Sequence, residues 1–464
     1  MKNNSKGYAL TGVLIRAAAV SSLGGLLFGF DTAVIAGTTA SVKELFGLSE
    51  WSMGFVVSSA LVGTILGSLI SSKPAERAGR RSCLMVLGVF FIVSAAGCSL
   101  AWDFWSLSIA RFIGGIAIGG SSVISPMYIA EISPAKIRGR FIILFQFNVC
   151  FGILLAYFSN ALIELMQYDV LHIQWRIMFG AGGVPALLFF IMLFTIPRSP
   201  RWLASKGRNE EAMSVLKKIG ELDVAAAFDN IRHSLKASQE IGTDRLFQKR
   251  YAYSIFLGVS VAAFNQFSFI NGYLYYLNDT LNIIGASFGG KFQPVIIGAA
   301  NVLAVSIAFF TIDKMGRKKL LLIGSWGTAI PLLMAAYIAW TRELIELFPW
   351  SIALFILFFS FSQGAVIWPY ISEVFPNKVR SKGIALGSFT HWGLCAAAAT
   401  VYPPIIASGS HGLAIPFLFG ATMMLAQFFV VLFFFIETKG VSLEEMEGHL
   451  SANPIKTPRA THWH

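Results

Sequence analysis

Five side-chain amides interrupt stretches of otherwise apolar residues. They are Gln146, Asn265, Gln266, Asn271 and Asn301. A side-chain amide both donates and accepts hydrogen bonds, so amides that converge on one cavity suit a ligand rich in hydroxyl groups. The alternative for each amide is a hydrogen bond between two helices that only holds the protein together. Gln266 and Asn271 are five residues apart, and both line one cavity if their helix is locally unwound.

Two charged side chains, Asp31 and Arg111, also lie within apolar stretches. A charge inside a membrane span is costly, so it marks a functional site by default. Burial opposes ionisation of a carboxyl group, whereas a nearby guanidinium favours it. If Arg111 lies beside Asp31 in the fold, a movement of Arg111 would therefore change the affinity of that carboxyl for a proton. The alternative is a permanent salt bridge between the two side chains.

The composition indicates a membrane protein. Of the 464 residues, 55% are hydrophobic and only 13% are charged, whereas soluble domains carry about 25% charged residues. The net charge of +12 comes from short basic loops between apolar stretches, a pattern that indicates membrane topology rather than a nucleic-acid partner. The four cysteines, Cys83, Cys98, Cys150 and Cys395, lie within or beside apolar segments and are interpreted as small core residues.

Windows of about 19 residues predict an all-α protein with twelve transmembrane helices. The first six spans cover residues 12–37, 51–72, 82–102, 106–131, 140–163 and 174–196. The second six cover residues 251–276, 293–312, 319–339, 348–373, 384–406 and 412–436. The first apolar stretch is too long for a cleaved secretion signal, so we expect it to remain as a span.

This pattern divides the chain into four parts. An N-terminal six-helix bundle is predicted over residues 1–197, and a C-terminal bundle over residues 251–436. Between them, residues 198–250 are polar and contain amphipathic patterns, which predict a linker domain with helices. Residues 437–464 form a tail. Lys and Arg gather after spans two, four, six, eight and ten. The positive-inside rule therefore places the linker and both termini on the cytoplasmic side of the membrane. We expect this membrane to be the cell membrane, that is, an inner or plasma membrane.

Two cytoplasmic loops of the first half are repeated in the second half. ERAGRR at 76–81 is echoed by DKMGRKK at 313–319, and AEISPAKIRGR at 130–140 by SEVFPNKVRSKG at 372–383. The repeats imply two homologous halves that rock around a site near the midplane of the membrane. We expect the charged residues of these loops to form a latch of salt bridges between the halves: Glu76, Arg77, Arg80, Glu131, Arg138, Asp313, Arg317, Glu373 and Arg380.

The motifs together resemble the sugar porters of the major facilitator superfamily, which include proton-coupled bacterial symporters for xylose and hexoses and the glucose facilitators of animals. The resemblance covers nearly the whole chain. It rests on FGFDTAVIAG (28–37), ERAGRR, RFIGGIAIGG with SPMYIAEISPAKIRGR (111–140), PRSPRWL (197–203), NQFSFIN with YY (265–276), DKMGRK, GAVIWPYISEVFP (364–376) and IETKGVSLEEM (436–446).

The resemblance implies roles for the polar and aromatic residues within the spans. Asp31 and Arg111 would form the proton-linked pair, which the facilitators tend to lack. The implied sugar-binding residues are Phe28, Gln146, Asn265, Gln266, Asn271, Asn301, Trp368, His391 and Trp392, and the implied outer gate is formed by Tyr275 and Tyr276. The alternative to sugar binding for His391 is that it is a core histidine with its hydrogen bonds satisfied inside the protein.

The chain departs from the family at four places. Asn265 stands where the family has the first of two adjacent glutamines, and Phe269 stands in place of a glycine. Arg198 replaces the acidic residue of the usual PESPRWL motif, and Ile436 replaces the proline of the usual PETKG motif. We expect Phe269 to reshape the binding pocket, and we expect Arg198 and Ile436 to alter the latch.

The sequence therefore predicts secondary active transport of a pentose or hexose, coupled to protons by alternating access. The alternatives are a facilitative sugar uniporter with the same fold and a transporter-like sugar receptor, although the segment after Leu450 is short for signalling. We expect no cofactor and no catalytic site, because no nucleophile, base and orienting group converge and no P-loop is present. The predicted partners are a small sugar and the lipid bilayer, with no nucleic acid and no obligate protein partner.

Overall fold

The computed structural model of the chain describes residues 9–134, 138–240, 244–285, 290–376 and 378–439. In this part of the chain, twelve helices are long and apolar enough to cross a membrane. The first six spans are Gly12–Gly37, Glu50–Ile70, Arg80–Ser99, Phe104–Ile132, Phe141–Leu165 and Leu171–Thr195. The second six are Lys249–Tyr275, Gly290–Ile312, Arg317–Thr341, Ile345–Glu373, Arg380–Ile406 and Ala414–Phe434. The predictions of an all-α membrane protein and of its twelve spans are confirmed.

Helical structure follows from the apolar sequence of the spans. A bilayer offers no hydrogen-bond partners to exposed backbone groups, and a helix satisfies these groups within one segment. The polar ends carry their own caps. At the start of span four, the Asp103 side chain accepts a hydrogen bond from the Ser106 backbone N–H at 2.7 Å, and the Ser106 hydroxyl accepts one from the Asp103 N–H at 3.0 Å. This capping box marks the helix start.

The chain folds into two compact units. The first comprises Met1–Leu48 and Ser59–Ile241, and the second comprises Ser49–Ser58 and Gly242–His464. Within the first unit, spans one and five pack closely through small residues. A Cβ atom on Gly29 would clash with the Val149 carbonyl, and one on Gly152 would clash with the Leu26 carbonyl. The two backbones therefore approach as closely as small residues allow, the usual basis of helix contact in membranes.

The polar linker forms three helices that pack within the first unit. They are Pro200–Ser205, Asn209–Ile219 and Val224–Glu240. The Trp202 indole donates a hydrogen bond of 3.0 Å to the Glu76 carbonyl. The Ala9 backbone N–H donates one of 2.7 Å to the Gly220 carbonyl. The linker helices are thus bonded both to the loop after span two and to the segment that precedes span one.

Two spans of the second unit are interrupted. Span seven consists of Ala252–Phe267 and Ile270–Tyr275, and Phe269 between them adopts a left-handed conformation with φ of +60°. Span ten consists of Phe348–Phe361 and Gln363–Glu373. Interrupted helices in membrane proteins commonly bring backbone and side-chain polar groups to a binding site.

Candidate functional site

Asp31 and Arg111 form an ion pair inside the first unit. Arg111 Nη1 lies 2.9 Å from Asp31 Oδ2, and the guanidinium side chain is only 1% exposed. The same nitrogen also lies 3.4 Å from the Asp31 backbone carbonyl. A buried arginine is held by such a pair, because an isolated charge in an apolar interior would be very costly. The structure thus brings together the two charged residues that the sequence singled out.

The other predicted residues of the first unit, Phe28 and Gln146, are partly buried. Phe28 packs against the apolar core of this unit. Gln146 lies on span five, and its side-chain nitrogen is 3.9 Å from the Cys150 sulfur one turn further along the helix. A contact to sulfur is a weak hydrogen bond. The Gln146 amide is therefore easily reoriented toward a stronger partner.

The amides of span seven form one hydrogen-bonded cluster in the second unit. Gln266 Nε2 donates to Asn265 Oδ1 at 2.9 Å, and Asn271 Nδ2 donates to Gln266 Oε1 at 2.9 Å. Gln266 Nε2 also lies 3.3 Å from the His391 ring nitrogens of span eleven. The left-handed turn at Phe269 brings Gln266 and Asn271 together, although five residues separate them in the sequence. Local unwinding of this helix is thus present.

Three aromatic rings extend this cluster. The Trp368 ring centroid is 5.1 Å from that of His391 and 6.5 Å from that of Trp392. His391 and Trp392 are buried, whereas Trp368 and Asn271 are partly exposed. Amides beside an aromatic face suit a sugar, whose hydroxyls need hydrogen bonds and whose ring carries an apolar face. The roles of these residues in sugar binding stay predictions.

The two predicted gate residues, Tyr275 and Tyr276, are buried beside span eleven. The Tyr276 hydroxyl donates a hydrogen bond of 3.0 Å to the Ala399 carbonyl. Its ring stacks on Tyr402, with centroids 5.5 Å apart. The Tyr402 hydroxyl is in turn 2.9 Å from that of Thr280. The C-terminal end of span seven is therefore bonded to span eleven, in part through Tyr402, which was not predicted from the sequence.

The Asn301 amide is engaged in a contact between two helices. Asn301 Oδ1 accepts a hydrogen bond of 2.7 Å from the Ser360 hydroxyl, which joins spans eight and ten. Both residues are buried. This geometry favours the structural alternative for Asn301 over a direct contact with a ligand.

Two latch residues of the first unit pair with each other at the C-terminal end of span four. Arg80 binds Glu131 Oε1 at 2.7 Å, and the Ser199 hydroxyl donates to Glu131 Oε2 at 2.5 Å. The Tyr128 hydroxyl donates to the Pro197 carbonyl at 2.7 Å. The start of span three, the end of span four and the segment after span six are thus joined by one carboxylate.

The second unit repeats this arrangement at the end of span ten. Arg317 binds Glu373 Oε1 at 3.0 Å, and the Thr438 hydroxyl donates to Glu373 Oε2 at 2.6 Å. The Tyr370 hydroxyl donates to the Ile436 carbonyl at 3.2 Å. The internal repeat read from the sequence is thus matched, contact for contact, within each unit.

The other five predicted latch residues are not part of these two arrangements as the structure describes them. Glu76 and Arg77 are exposed, and Arg380 Nε donates to the Phe375 carbonyl at 3.2 Å. The side chains of Arg138 and Asp313 lie outside the part of the chain that the structure describes. Salt bridges between the two halves stay a prediction.

One difference separates the two repeated arrangements. Glu437 accepts hydrogen bonds from the backbone N–H groups of Arg317 at 2.8 Å and Lys318 at 3.1 Å, and so caps span nine. At the matching position of the first unit stands Arg198, whose guanidinium lies 5.6 Å from the Trp202 ring centroid. No prediction from the sequence included Ser199, Thr438 or Glu437, although an alignment of PRSPRWL with IETKG brings out all three.

Known proteins resemble this chain over nearly its whole length. The family model described as "Sugar (and other) transporter" matches residues 17–450. The arabinose-proton symporter of Bacillus subtilis is 36% identical over 444 residues, which cover 94% of this chain and 95% of that protein. The D-xylose-proton symporter of Escherichia coli K12 is 36% identical over 479 residues, covering 94% and 96%. The xylose transporter of E. coli, in a partially occluded inward-open conformation, superposes with a TM-score of 0.82 at 32% identity, covering 93% of this chain and all of that one.

Proposed function

This chain belongs to the sugar transporter family of the major facilitator superfamily, and on that premise we propose that it carries a monosaccharide across the membrane together with protons. The observation that carries the proposal is the 2.9 Å contact between Asp31 and the buried Arg111. A carboxylate that lies in a membrane span and is held by a single cation is suited to bind and release a proton. No covalent chemistry is part of this mechanism.

The coupling follows from competition for Asp31. While Arg111 contacts the carboxylate, the charged form is favoured; when the arginine moves away, burial favours the protonated form. A proton taken up on one side and released on the other would then accompany each conformational cycle. One charge crossing the membrane gains about 2.3 kcal/mol per 100 mV. Because about 1.4 kcal/mol corresponds to a tenfold concentration ratio, this suffices for accumulation of roughly fifty-fold.

The sugar would bind at the amide cluster of span seven. Gln266 and Asn271 exchange hydrogen bonds with each other and with neutral neighbours. A sugar hydroxyl both donates and accepts, so it can replace these bonds without leaving a buried amide unsatisfied. Trp368 offers a partly exposed aromatic surface beside His391. The relatives named above are symporters for arabinose and xylose, and we therefore expect a pentose or a hexose.

The basic loops support an orientation with both termini in the cytoplasm. Arg80, Arg81 and Lys73 follow span two, and Lys314, Arg317 and Lys318 follow span eight. Labelling of single cysteines placed in these loops with a membrane-impermeant reagent tests the orientation. Protection in right-side-out vesicles is the expected result, and labelling there would reverse the assignment.

Uptake by purified protein in liposomes tests the proposed function. Labelled pentoses and hexoses are compared with and without an inward proton gradient, and counterflow is measured without a gradient. We expect the gradient to drive accumulation. Asp31→Asn should abolish accumulation and retain counterflow, whereas Asp169→Asn, at an exposed carboxylate outside the spans, should leave both unchanged.

The same measurements separate the uniporter alternative. If the wild-type protein exchanges sugar but a proton gradient never drives accumulation, the Asp31–Arg111 pair is permanent and the protein is a facilitator. If no sugar in the panel moves at all, sugar transport itself is refuted.

A further inference from the structure

A small cavity lies beside Asp31 within the first unit. It has a volume of about 30 Å³, and its lining includes Asp31, Ser94, Ala95, Cys98 and Gly182. To hold one water molecule, a cavity needs about 10–15 Å³ of space for the centre of a water-sized sphere, and it needs polar partners. The cavity is therefore large enough for a water molecule, provided that suitable polar groups face it.

Two such groups lie next to each other. Asp31 binds Arg111 through its Oδ2 atom, which leaves the Oδ1 atom for another contact. Both Asp31 Oδ1 and Ser94 Oγ lie within 4 Å of the point where a Cβ atom on Gly114 would stand. Cys98, one helical turn from Ser94 on span three, also lines the cavity. A water molecule between Oδ1 and Ser94 would have partners on two sides.

The rest of the lining is apolar. The other lining residues are Leu27, Phe30, Val34, Phe91, Ala95, Phe179 and Gly182, from spans one, three and six. Among the described lining residues, Asp31 and Cys98 are the titratable groups, and Arg111 contacts Asp31 from span four. An apolar wall with one polar edge leaves a water molecule few other places to bind.

We propose that this cavity holds a water molecule that relays the proton to and from Asp31, and that Ser94 is the residue that positions it. The inference rests on the proton coupling proposed above and adds the route. The water gives one of its protons to Oδ1, where a new O–H bond forms, and takes one from a hydronium ion that reaches the cavity. The hydronium becomes water, so the relay consumes nothing. Release follows the same steps in reverse.

Three variants of span three test the relay. Ala95→Val adds two methyl groups to the cavity wall and should displace the water, while Ser94→Ala removes the hydroxyl that positions it. The matched control is Ala96→Val, because Ala96 is the next residue on the same helix and is exposed on the outer surface of the unit. None of these substitutions replaces Asp31 or Arg111.

Two readouts distinguish a relay from a merely structural role. In liposomes, proton-driven uptake of labelled D-xylose, or of the panel sugar that the wild-type protein carries best, is compared with counterflow. In detergent, the rate and the number of protons bound after a pH jump are followed with a pH-sensitive dye. Positioned proton transfer contributes about 10²–10⁴-fold to a rate, so we expect Ala95→Val to slow proton binding and driven uptake at least about tenfold. Counterflow and the number of protons bound should stay unchanged.

The outcomes separate the relay from the proposed function. If the wild-type protein is driven by protons and both Ser94→Ala and Ala95→Val keep its rates, the relay is wrong and the coupling stands. If Ala96→Val slows proton binding as much as Ala95→Val, the effect comes from packing of span three and the relay is also wrong. If Ala95→Val loses counterflow through misfolding, Ser94→Ala decides alone. If protons never drive the wild-type protein, the proposed coupling fails and the relay fails with it.

Discussion

Phe269 offers a sharp test of the interruption in span seven, because its backbone is left-handed with φ of +60°. A bulky residue seldom adopts this conformation. Its ring is 9% exposed and packs between aromatic neighbours, with centroids 6.2 Å from Tyr402 and 5.6 Å from Phe419. The packing of the ring thus offsets the strain of the backbone, and it holds Gln266 and Asn271 at their hydrogen-bonding distance.

The comparison of Phe269→Ala with Phe269→Gly isolates the backbone contribution. Both variants lose the ring, which costs about 3–5 kcal/mol of stability for a buried phenylalanine. Alanine also keeps the left-handed strain of about 1–2 kcal/mol, whereas glycine adopts the conformation freely. We therefore expect the glycine variant to be the more stable by about 1 kcal/mol or more. In a regular helix the order is reversed, because glycine is about 1 kcal/mol worse than alanine.

Thermal unfolding in detergent measures this difference, and Phe264 supplies the control. Phe264 lies in the same span, is partly buried and has a regular helical conformation within Ala252–Phe267. At position 264 the alanine variant should melt higher than the glycine variant, and at position 269 the order should be the opposite. A stability change of about 1 kcal/mol shifts the midpoint by roughly 2–4 °C for a unit of this size. The same order at both positions would refute a left-handed Phe269.

Three further predictions concern caps and helix contacts. Glu437→Ala removes the side chain that caps span nine and should lower stability by about 0.5–2 kcal/mol in thermal unfolding; an unchanged midpoint would contradict the cap. Hydrogen bonds from Ser106 lower the pKa of Asp103 below its ordinary value. The stabilisation that charged Asp103 gives the folded protein is therefore complete above the ordinary pKa of about 3.9, and it is lost as the pH falls through the lowered pKa. The Asp103→Asn variant keeps the cap, and its free energy of unfolding should vary less with pH in that acidic range than that of the wild-type protein. An equal pH dependence in both proteins would exclude Asp103 as the source of the change in stability. Ser360→Ala should destabilise the protein by about 1–3 kcal/mol by leaving the buried Asn301 oxygen without its donor, and retained stability with altered sugar affinity would instead return Asn301 to the binding site.

The arrangements around Glu131 and Glu373 differ between the two units. Each unit closes a triad of arginine, glutamate and hydroxyl, yet Glu437 caps a helix in the second unit while Arg198 occupies the matching position in the first. A carboxylate near a helix N-terminus is favourable, and a guanidinium there is not. The first unit therefore holds its triad without the helix cap that strengthens the second. Arg198→Glu would make the two ends alike.

The twelve spans, the internal repeat and the family were all available from the sequence. A span needs only about 20 successive apolar residues, a property of a local segment that does not depend on what packs against it. The repeated loops after spans two and eight, and after spans four and ten, are visible because similar residues recur at similar places. Asp31 and Arg111 stood out for the same reason, as charges in an apolar stretch.

The partners of the polar residues were decided only by the tertiary structure. Asn301 and Gln266 look alike in sequence, yet one bonds Ser360 across two helices and the other joins a cluster with Asn271 and His391. Which amide meets which neighbour depends on how helices distant in sequence rotate and approach one another, and no local pattern records this. The left-handed turn at Phe269 is a further example, because the ring packing that offsets its strain comes from spans eleven and twelve.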